Sequence, residues 1–599
     1  MANLFKSLIS RTISQRVGLP ESEIEPMIEI PKDSQMGDYA FPCFKLSRNL
    51  KKSPPAIAEE LTQCFAGTPE FDKVTGVSGY LNFTVKPERL IIEAIRNAIR
   101  AGETIGRNDT GAGRLAIVEY SSPNIAKPFG VGHLRSTVIG NSIARLHRNA
   151  GYQVIRINHL GDWGTQFGKL ITAYQAWGDE EKLNLAPIQH LYDLYVRFHK
   201  AAEQAPSLEE TARQWFKRLE DGDSTAQSYW EKFRDLSMRE FKKIYQRLGV
   251  EFDHYTGEAF YSDKMDDCVK SIEAKGITTV SDGALIVDLS DQKLPPCLLR
   301  KSDGATLYAT RDLTAAIYRY NQYHFDKNIY VVGSAQILHF QQFFSVLKKM
   351  GFDWADHCVH VPFGLILGIS TRKGTLVFLE NVLDEARDRA LSILEDKKDE
   401  FDDPVEVADK IAISAIIFQD LSNKRIKDVD FDLEKMISFD GDTGPYLLYT
   451  LVRINSIFKK LFQRIPSLKN FEDIRGLVDR LGVVEKFAAD ERFAADDRFA
   501  AGDRFGSVED CRNEEAINLI KQIDQFESYI RLATEQYEPS ILSNYLIELA
   551  RSFNKFYHTN RILLSETEYS PSRLLVVMAL YPILRNGLHL LGIPTIDKM

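Results

Sequence analysis

The chain has 599 residues, 44% of them hydrophobic and 27% charged. Its length exceeds a single hydrophobic core and predicts roughly three to five domains. That composition excludes a fibrous or wholly disordered chain. The net charge of −9 argues against unspecific coating of nucleic acid but leaves room for a positive face.

The six cysteines include no CxxC pair, so neither a disulfide scaffold nor a cysteine zinc site is expected, and a reducing cytoplasm fits. No resident metal site is predicted. No apolar run reads as a membrane span. The opening MANLFKSLISRTISQRVGLP is basic and amphipathic but lacks the features of a signal peptide. It reads as a packed helix, with a membrane-surface helix as the alternative.

Residues 1 to 107 read as a small α+β domain. Helical patterns run near 2–16 and 53–65, a turn-rich IPKDSQMGDYAFP lies between them, and VSGYLNFTV reads as a strand. GRNDTGAG has linker composition. LAIVEY is a strand running into a polar loop. In the following HLRSTVIGNSIARLHRNAG, apolar residues recur with helical spacing and Gly151 provides a stop. YQVIRINHL is the next strand, completing a βαβ unit and predicting a parallel sheet over 108–180. Residues 181–290 break this rhythm with long charged helices and short strands, as an insertion would. The alternation returns over 291–403, and 404–599 is nearly all helical. Within the last region, phenylalanine recurs at 487, 493, 499 and 505. A period of six matches neither a helix face nor a strand. The segment 486–506 reads as an expanded surface insertion without chemistry, or else as a partner-docking segment.

The sharpest chemical signal is EYSSPNIAKPFGVGHLRSTVIG at 119–140. It puts a glycine-bearing loop between a strand and a helix N-terminus, where backbone N–H groups and the helix dipole favour a phosphate. Gly130 and Gly132 permit close approach of a ligand, His133 opens the helix, and Lys127 brings a mobile positive charge. The loop is neither a dinucleotide fingerprint nor a P-loop. A second loop, GISTRKG, sets Ser370 and Thr371 before Arg372 and Lys373, which suits charge developing on a triphosphate. Taken alone it fits a solvated basic turn as well. Third, LYATRDL places Tyr308 and Asp312 one helical turn apart, and Glu119 ends its strand. Such carboxylates suit a cationic substrate, since an aspartate–guanidinium pair is planar and bidentate in a way lysine cannot copy. Ordinary surface pairing of Arg311 and Asp312 is the bland alternative.

Together these segments resemble the class I arginyl-tRNA synthetases. SSPNIAKPFGVGHLRST is similar to that family's HIGH signature and ISTRKG to its KMSKS loop. NHLGDWGTQFG, VVGSAQILHF, SNKRIKD, GDTGPYLLYTLVRI and NGLHLLGIPTIDKM extend the resemblance over nearly the whole chain. It implies an α/β fold: a parallel-sheet nucleotide-binding catalytic domain with an insertion, a small N-terminal α+β domain, and an all-helical C-terminal anticodon-binding domain. It further implies ATP-dependent attachment of L-arginine to tRNA(Arg) through an arginyl-adenylate, with Mg²⁺ accompanying ATP and a monomeric enzyme; a class I synthetase for another amino acid, or a non-catalytic synthetase-derived tRNA-binding protein, is the alternative. No editing domain is expected, because paired buried charges can discriminate arginine's long planar cation.

By the same resemblance, Glu119 and Asp312 bind the guanidinium with Tyr308 nearby, and Asn124 and Gln336 orient the amino-acid end. His133, Gly130, Gly132 and Ser370 hold ATP, while Lys127, Arg372 and Lys373 surround its phosphates. His159, Asp162, Trp163 and Gln166 support the pocket. In the helical region, Arg453, Lys459, Lys460 and Arg464 meet tRNA phosphates, and Tyr446, Asn554 and Tyr557 are candidates for base contacts. A solvated basic helix face is the alternative there. The chain departs from the family at two places. Gly130 stands where a histidine is usual, and Gly368-Ile369 stand for the loop's first lysine and methionine, which shifts weight to His133 and Lys127.

Overall fold

The computed structural model describes residues 3–31, 33–302, 304, 307–367, 378–395, 401–464, 467–480, 482, 484, 487, 507–563 and 569–598. The GISTRKG loop, with Gly368, Ser370, Arg372 and Lys373, lies outside the described residues. So does the phenylalanine repeat, apart from Phe487, which is buried.

The first helix, Leu4–Val17, starts where the Asn3 side chain accepts a hydrogen bond from the Lys6 amide. Phe5, Ile9 and Ile13, four residues apart, form one fully buried stripe, which favours the packed-helix reading of this segment. Strands β1 (Tyr39–Pro42), β2 (Phe71–Val77) and β3 (Tyr80–Val85) form an antiparallel sheet in the order β1-β3-β2. VSGYLNFTV is therefore not one strand. Ser78 and Gly79 take φ of 50° and 83°, the left-handed pair that closes a two-residue hairpin, and the run ends β2 and begins β3.

Strand β4 (Leu115–Glu119), the helix Gly132–Asn149 and strand β5 (Gln153–Ile157) form the expected βαβ unit. We call this helix the signature helix. Its register against the sheet depends on Gly140, where an added Cβ would lie 2.2 Å from the Tyr120 Cβ. Strands β6 (Thr278–Ser281), β7 (Ala284–Val287) and β8 (Cys297–Arg300) make a separate antiparallel sheet. Strands β9 (Lys327–Gly333) and β10 (Cys358–Phe363) then return to the parallel sheet, whose order is β10-β9-β4-β5. The chain proceeds outward in opposite directions from β4 and from β9. Such a switch point opens a crevice at the carboxyl ends of the strands, where open α/β sheets bind ligands.

Between β5 and β9 the chain also inserts the helices Pro187–Gln204, Ser207–Glu220 and Ser224–Arg247. The C-terminal region is helical, with Pro404–Leu421, Gly444–Arg464, Glu514–Glu535, Ser540–Thr559 and Pro571–Leu591 as its main elements. The last helix corrects the expectation that no apolar run matches a membrane span: it reaches a mean hydropathy of 1.6 over 18 residues. Of that stretch, 78% is buried inside the fold, against Pro87–Ala101, the signature helix and Ser540–Thr559 among others. Its apolar surface is thus taken up by packing, each buried leucine or isoleucine contributing about 1.5–3 kcal/mol.

Candidate active site

Glu119 closes β4 at the switch point, and the loop that follows is held in a demanding conformation. Ser121, Ser122 and Ala126 all take positive φ, at 73°, 49° and 60°. Each costs of order 1–3 kcal/mol unless its surroundings enforce it. The insertion supplies that enforcement. From the helix Ser224–Arg247, the Ser237 hydroxyl accepts the Ala126 amide at 3.0 Å, and the Tyr245 hydroxyl lies 2.7 Å from the Ser121 hydroxyl. Asn158 donates to the same tyrosine at 2.9 Å. From the signature helix, the Ser136 hydroxyl accepts the Ser121 amide at 2.9 Å and donates to the Val331 carbonyl of β9 at 2.8 Å. Sequence reasoning missed Ser237 and Tyr245, because nothing in a charged helix about a hundred residues downstream marks two polar side chains as turning inward.

No side chain caps the signature helix at its start, and an added Cβ at Gly132 would have nothing within 4 Å. Among the described residues, nothing crowds the helix start at Gly132, which leaves room there for an anion. Gly130 is buried and bridges Phe378. Lys127 makes no ion pair among the described residues, and its ammonium lies 5.6 Å from the Tyr195 ring. The His133 ring nitrogen Nδ1 is buried without a hydrogen-bond partner. Burial, reinforced by the charge on Lys127, pushes the imidazole below the usual histidine range, against an opposing interaction with the Gly130 backbone. His133 therefore keeps a neutral ring as pH falls through the value, about 6.5, at which a free histidine half-protonates. A titration of its ring resonances by NMR should find the midpoint below that value. A midpoint at or above it would refute this reading.

Asn124 bridges Gly161, where an added Cβ would fall 2.2 Å from the asparagine Oδ1. Gly161→Ala should therefore displace Asn124 and raise the KM for the amino acid, with a stability cost of about 1–3 kcal/mol. An unchanged KM would show that Asn124 does not touch that substrate.

Across the crevice, Tyr308 begins the helix Tyr308–Tyr323 and is 69% exposed, so its ring is open to a ligand. Asp312, one turn on, accepts from His339 Nε2 at 2.6 Å, and Gln336 is exposed in the turn after β9. Glu119 differs from expectation in that it is already paired. Arg319 Nη2, from the same helix as Asp312 and fully buried, lies 2.5 Å from Glu119 Oε2. Burial opposes the charge on Arg319, but Glu119 and the Tyr261 and Tyr330 hydroxyls hold it protonated. A further carboxylate, Glu258, sits 3.2 Å from Arg311. Burial raises its pKa although Arg311 and His159 pull it down.

Of the supporting residues, Asp162 is buried. Its Oδ1 accepts the Ala259 amide at 2.8 Å, and its carboxyl is pushed up by burial against the pull of that bond and of Arg234. His159 stacks on Tyr261, Trp163 meets Trp230 edge-on, and Gln166 lines a small recess with Lys127 and Tyr195. The Asp162–Ala259 bond ties the loop after β5 to the segment carrying Glu258.

In the helical region, Arg453 bonds Asn554 and lies 4.8 and 5.1 Å from the rings of Tyr449 and Tyr557. Asn554 also donates to the Tyr446 hydroxyl at 2.8 Å. Arg453 is thus held among aromatic rings, whereas Lys459 and Lys460 are exposed. The side chain of Arg464 lies outside the described residues.

Three family models match the chain. That of the class I tRNA synthetase (R) catalytic domain covers residues 95–433, the arginyl-tRNA synthetase N-terminal domain covers 3–85, and the DALR anticodon-binding domain covers 482–599. The arginine–tRNA ligase of Halothermothrix orenii is 44% identical over 99% of this chain and 100% of its own length. That of Clostridioides difficile is 43% identical over the same shares. The arginyl-tRNA synthetase structures of Thermus thermophilus and Plasmodium falciparum share the fold. Their TM-scores are 0.78 and 0.76 at 23% and 24% identity, covering 100% and 99% of this chain and 100% and 98% of theirs. With a catalytic-domain model spanning more than half its residues and full-length relatives above two-fifths identity, the chain belongs to the class I arginyl-tRNA synthetase family.

Proposed function

We propose that this chain attaches L-arginine to tRNA(Arg) in two steps driven by ATP. The arginine carboxylate attacks the α-phosphorus of ATP, and the bond to pyrophosphate breaks, leaving arginyl-adenylate. A terminal ribose hydroxyl of tRNA then attacks the activated carbonyl, loses its proton, and AMP departs. No covalent enzyme intermediate is needed, so catalysis is positioning and electrostatic stabilisation. Mg²⁺ enters with the phosphates of ATP as part of that substrate.

The observation carrying this reading is the polarity of the crevice. Glu119 and Asp312 supply carboxylates at the crevice, and Lys127, without an ion pair among the described residues, stands with neutral His133 near the uncapped helix end. In this assignment Glu119, Asp312 and Tyr308 take the guanidinium, and Asn124 and Gln336 orient the amino-acid end. His133, Gly130, Gly132 and Ser370 hold ATP, with Lys127, Arg372 and Lys373 about its phosphates. The cluster of Arg453, Tyr446, Asn554 and Tyr557 offers stacking faces and hydrogen-bonding groups to unstacked bases, and Lys459, Lys460 and Arg464 supply charge for phosphates. The division of labour follows residues 1–107 for the tRNA elbow, 108–180 with 291–403 for chemistry, 181–290 as the insertion, and 404–599 for the anticodon. All six cysteines are unpaired, which supports a reducing, cytoplasmic setting, and the enzyme acts as a monomer.

The test is ATP–pyrophosphate exchange with arginine, lysine or glutamine, with and without tRNA. Exchange with arginine alone, and only when tRNA is present, is expected. Exchange with none of the three would overturn the assignment.

A further inference from the structure

The far end of the signature helix, away from His133, borders a cleft of about 1280 Å³ shared with the linker after the first domain and with the C-terminal tail. We propose that this cleft is a second binding site, specific for a small anion carrying two or more phosphates.

The charge on its walls is unbalanced. The carboxylates lining it are each engaged: Glu103 with Arg585 at 3.6 Å, Glu251 with Arg156 at 3.3 Å, Glu406 with Lys410 at 2.8 Å, and Asp409 with Arg247 at 2.6 Å. Arg107 and Arg148 are exposed to the cleft and make no ion pair among the described residues. Arg145 also makes no ion pair among the described residues. Its guanidinium donates to the carbonyls of His589 at 2.8 Å and Gly249 at 3.0 Å. His589 records the resulting field: after burial, its imidazole is held below the usual range by Arg145, Arg148 and Arg107 together. Three guanidiniums around one concavity suit phosphate oxygens, which arginine binds with paired parallel hydrogen bonds. Arg107 and Arg148 come from different elements, the linker and the helix, along a cleft far larger than one phosphate, which points to a ligand with more than one phosphate group.

This is not the ATP site. Fifteen residues of helix separate His133 from Arg148, roughly 22 Å at 1.5 Å per residue. The walls belong to a junction of three parts of the chain. Ser142 donates to the Leu590 carbonyl at 3.0 Å, Asn149 to that of Gly106 at 2.7 Å, and Asn586 to that of Ile105 at 2.6 Å. An anion bridging Arg107 on the linker to Arg145 and Arg148 on the helix would fasten this junction and stabilise the native state in proportion to its occupancy.

The probe is inorganic tripolyphosphate, titrated calorimetrically into the full-length chain and into Arg107→Ala/Arg148→Ala. The wild type should bind it with a component weakened at least tenfold in the double variant. Arg107→Lys/Arg148→Lys, which keeps the charge, should restore part of that loss. Aminoacylation without tripolyphosphate should stay within about twofold in both variants, which separates this site from the catalytic one and shows that the variants fold. Competition of ATP or GTP against tripolyphosphate for the variant-sensitive component would identify a nucleotide as the ligand, and failure to compete would identify an inorganic polyphosphate. Identical tripolyphosphate titrations for wild type and Arg107→Ala/Arg148→Ala would overturn the proposal. So would weakened tRNA binding with unchanged tripolyphosphate binding, which would make the cleft an RNA contact.

Discussion

Lys127→Ala lowers the rate of arginyl-adenylate formation by roughly 10²–10³-fold, the loss typical when one preorganised charge aimed at a transition state is removed. The expectation is this large because the chain has few substitutes. Gly130 offers no side chain where a histidine is usual in the family, and Gly368 none where the loop lysine is usual. His133 is held neutral by burial and so offers no full charge. Among the described residues at this helix end, Lys127 is the cation free of any carboxylate. In the proposed assignment, its removal leaves developing charge on the α-phosphate to the helix dipole and to Arg372 and Lys373. The same argument predicts a smaller loss, of about tenfold, for Lys127→Arg, which keeps the charge but moves it. The measurement is single-turnover adenylate formation with tRNA present and arginine saturating. A Lys127→Ala rate within threefold of wild type would show that the loop cations carry the stabilisation alone. Thermal unfolding should be nearly unchanged, since the side chain is only half-buried against Tyr195.

Much of this site was legible in the sequence because its chemistry is local. Asn124, Lys127, Gly132 and His133 lie within ten residues of one another, and a strand–loop–helix reading puts them at one end of a sheet. Tyr308 and Asp312 needed only helical spacing. What stayed hidden depends on contacts between residues far apart in the chain. The pairing of β9 with β4 creates the switch point, yet the two strands are separated by the whole insertion, so periodicity cannot order them. Ser237 and Tyr245 sit on a helix whose sequence reads as long and charged, and only the fold turns them onto Ser121 and Ala126. The hairpin in VSGYLNFTV was lost for another reason. Its apolar run hides a two-residue turn that shows only when Ser78 and Gly79 are seen with positive φ. The last helix was underestimated because Arg573 and Arg585 confine its continuous apolar run to residues 574–584, and Asn586 and His589 break up the remainder.

Arg319→Met destabilises the chain by about 3–5 kcal/mol, the usual result of leaving one member of a buried ion pair without its partner. The sequence pointed to Glu119 as a ligand for the substrate guanidinium and gave no sign that the protein carries a guanidinium of its own against it. Arg319 is on the same helix as Asp312, seven residues on and so on the same helix face. Its Nη2 approaches Glu119 Oε2 at 2.5 Å, but its nitrogens have no well-aligned acceptor, and its guanidinium lies 5.6 Å from the Tyr330 ring. The pair is therefore mainly Coulombic. It engages Oε2 of Glu119, and in the proposed assignment Oε1 is the oxygen that meets the substrate. Without Arg319 the Glu119 carboxylate must find water, take up a proton or turn away, and each route removes an acceptor from the amino-acid pocket. A charged hydrogen bond of about 1.5–3 kcal/mol is then lost, equivalent to roughly a 10–150-fold rise in the KM for arginine. The turnover number at saturating arginine should change far less, because the contact is remote from the reacting carboxylate. Glu119→Gln/Arg319→Met should recover part of the stability, since no buried charge is stranded, without recovering the KM. Denaturant unfolding of both variants, alongside steady-state kinetics, separates the two effects. If the double variant is as unstable as Arg319→Met, the arginine acts through packing against Tyr330. If the KM is unchanged in both, Glu119 is a structural carboxylate and Asp312 alone reads the substrate.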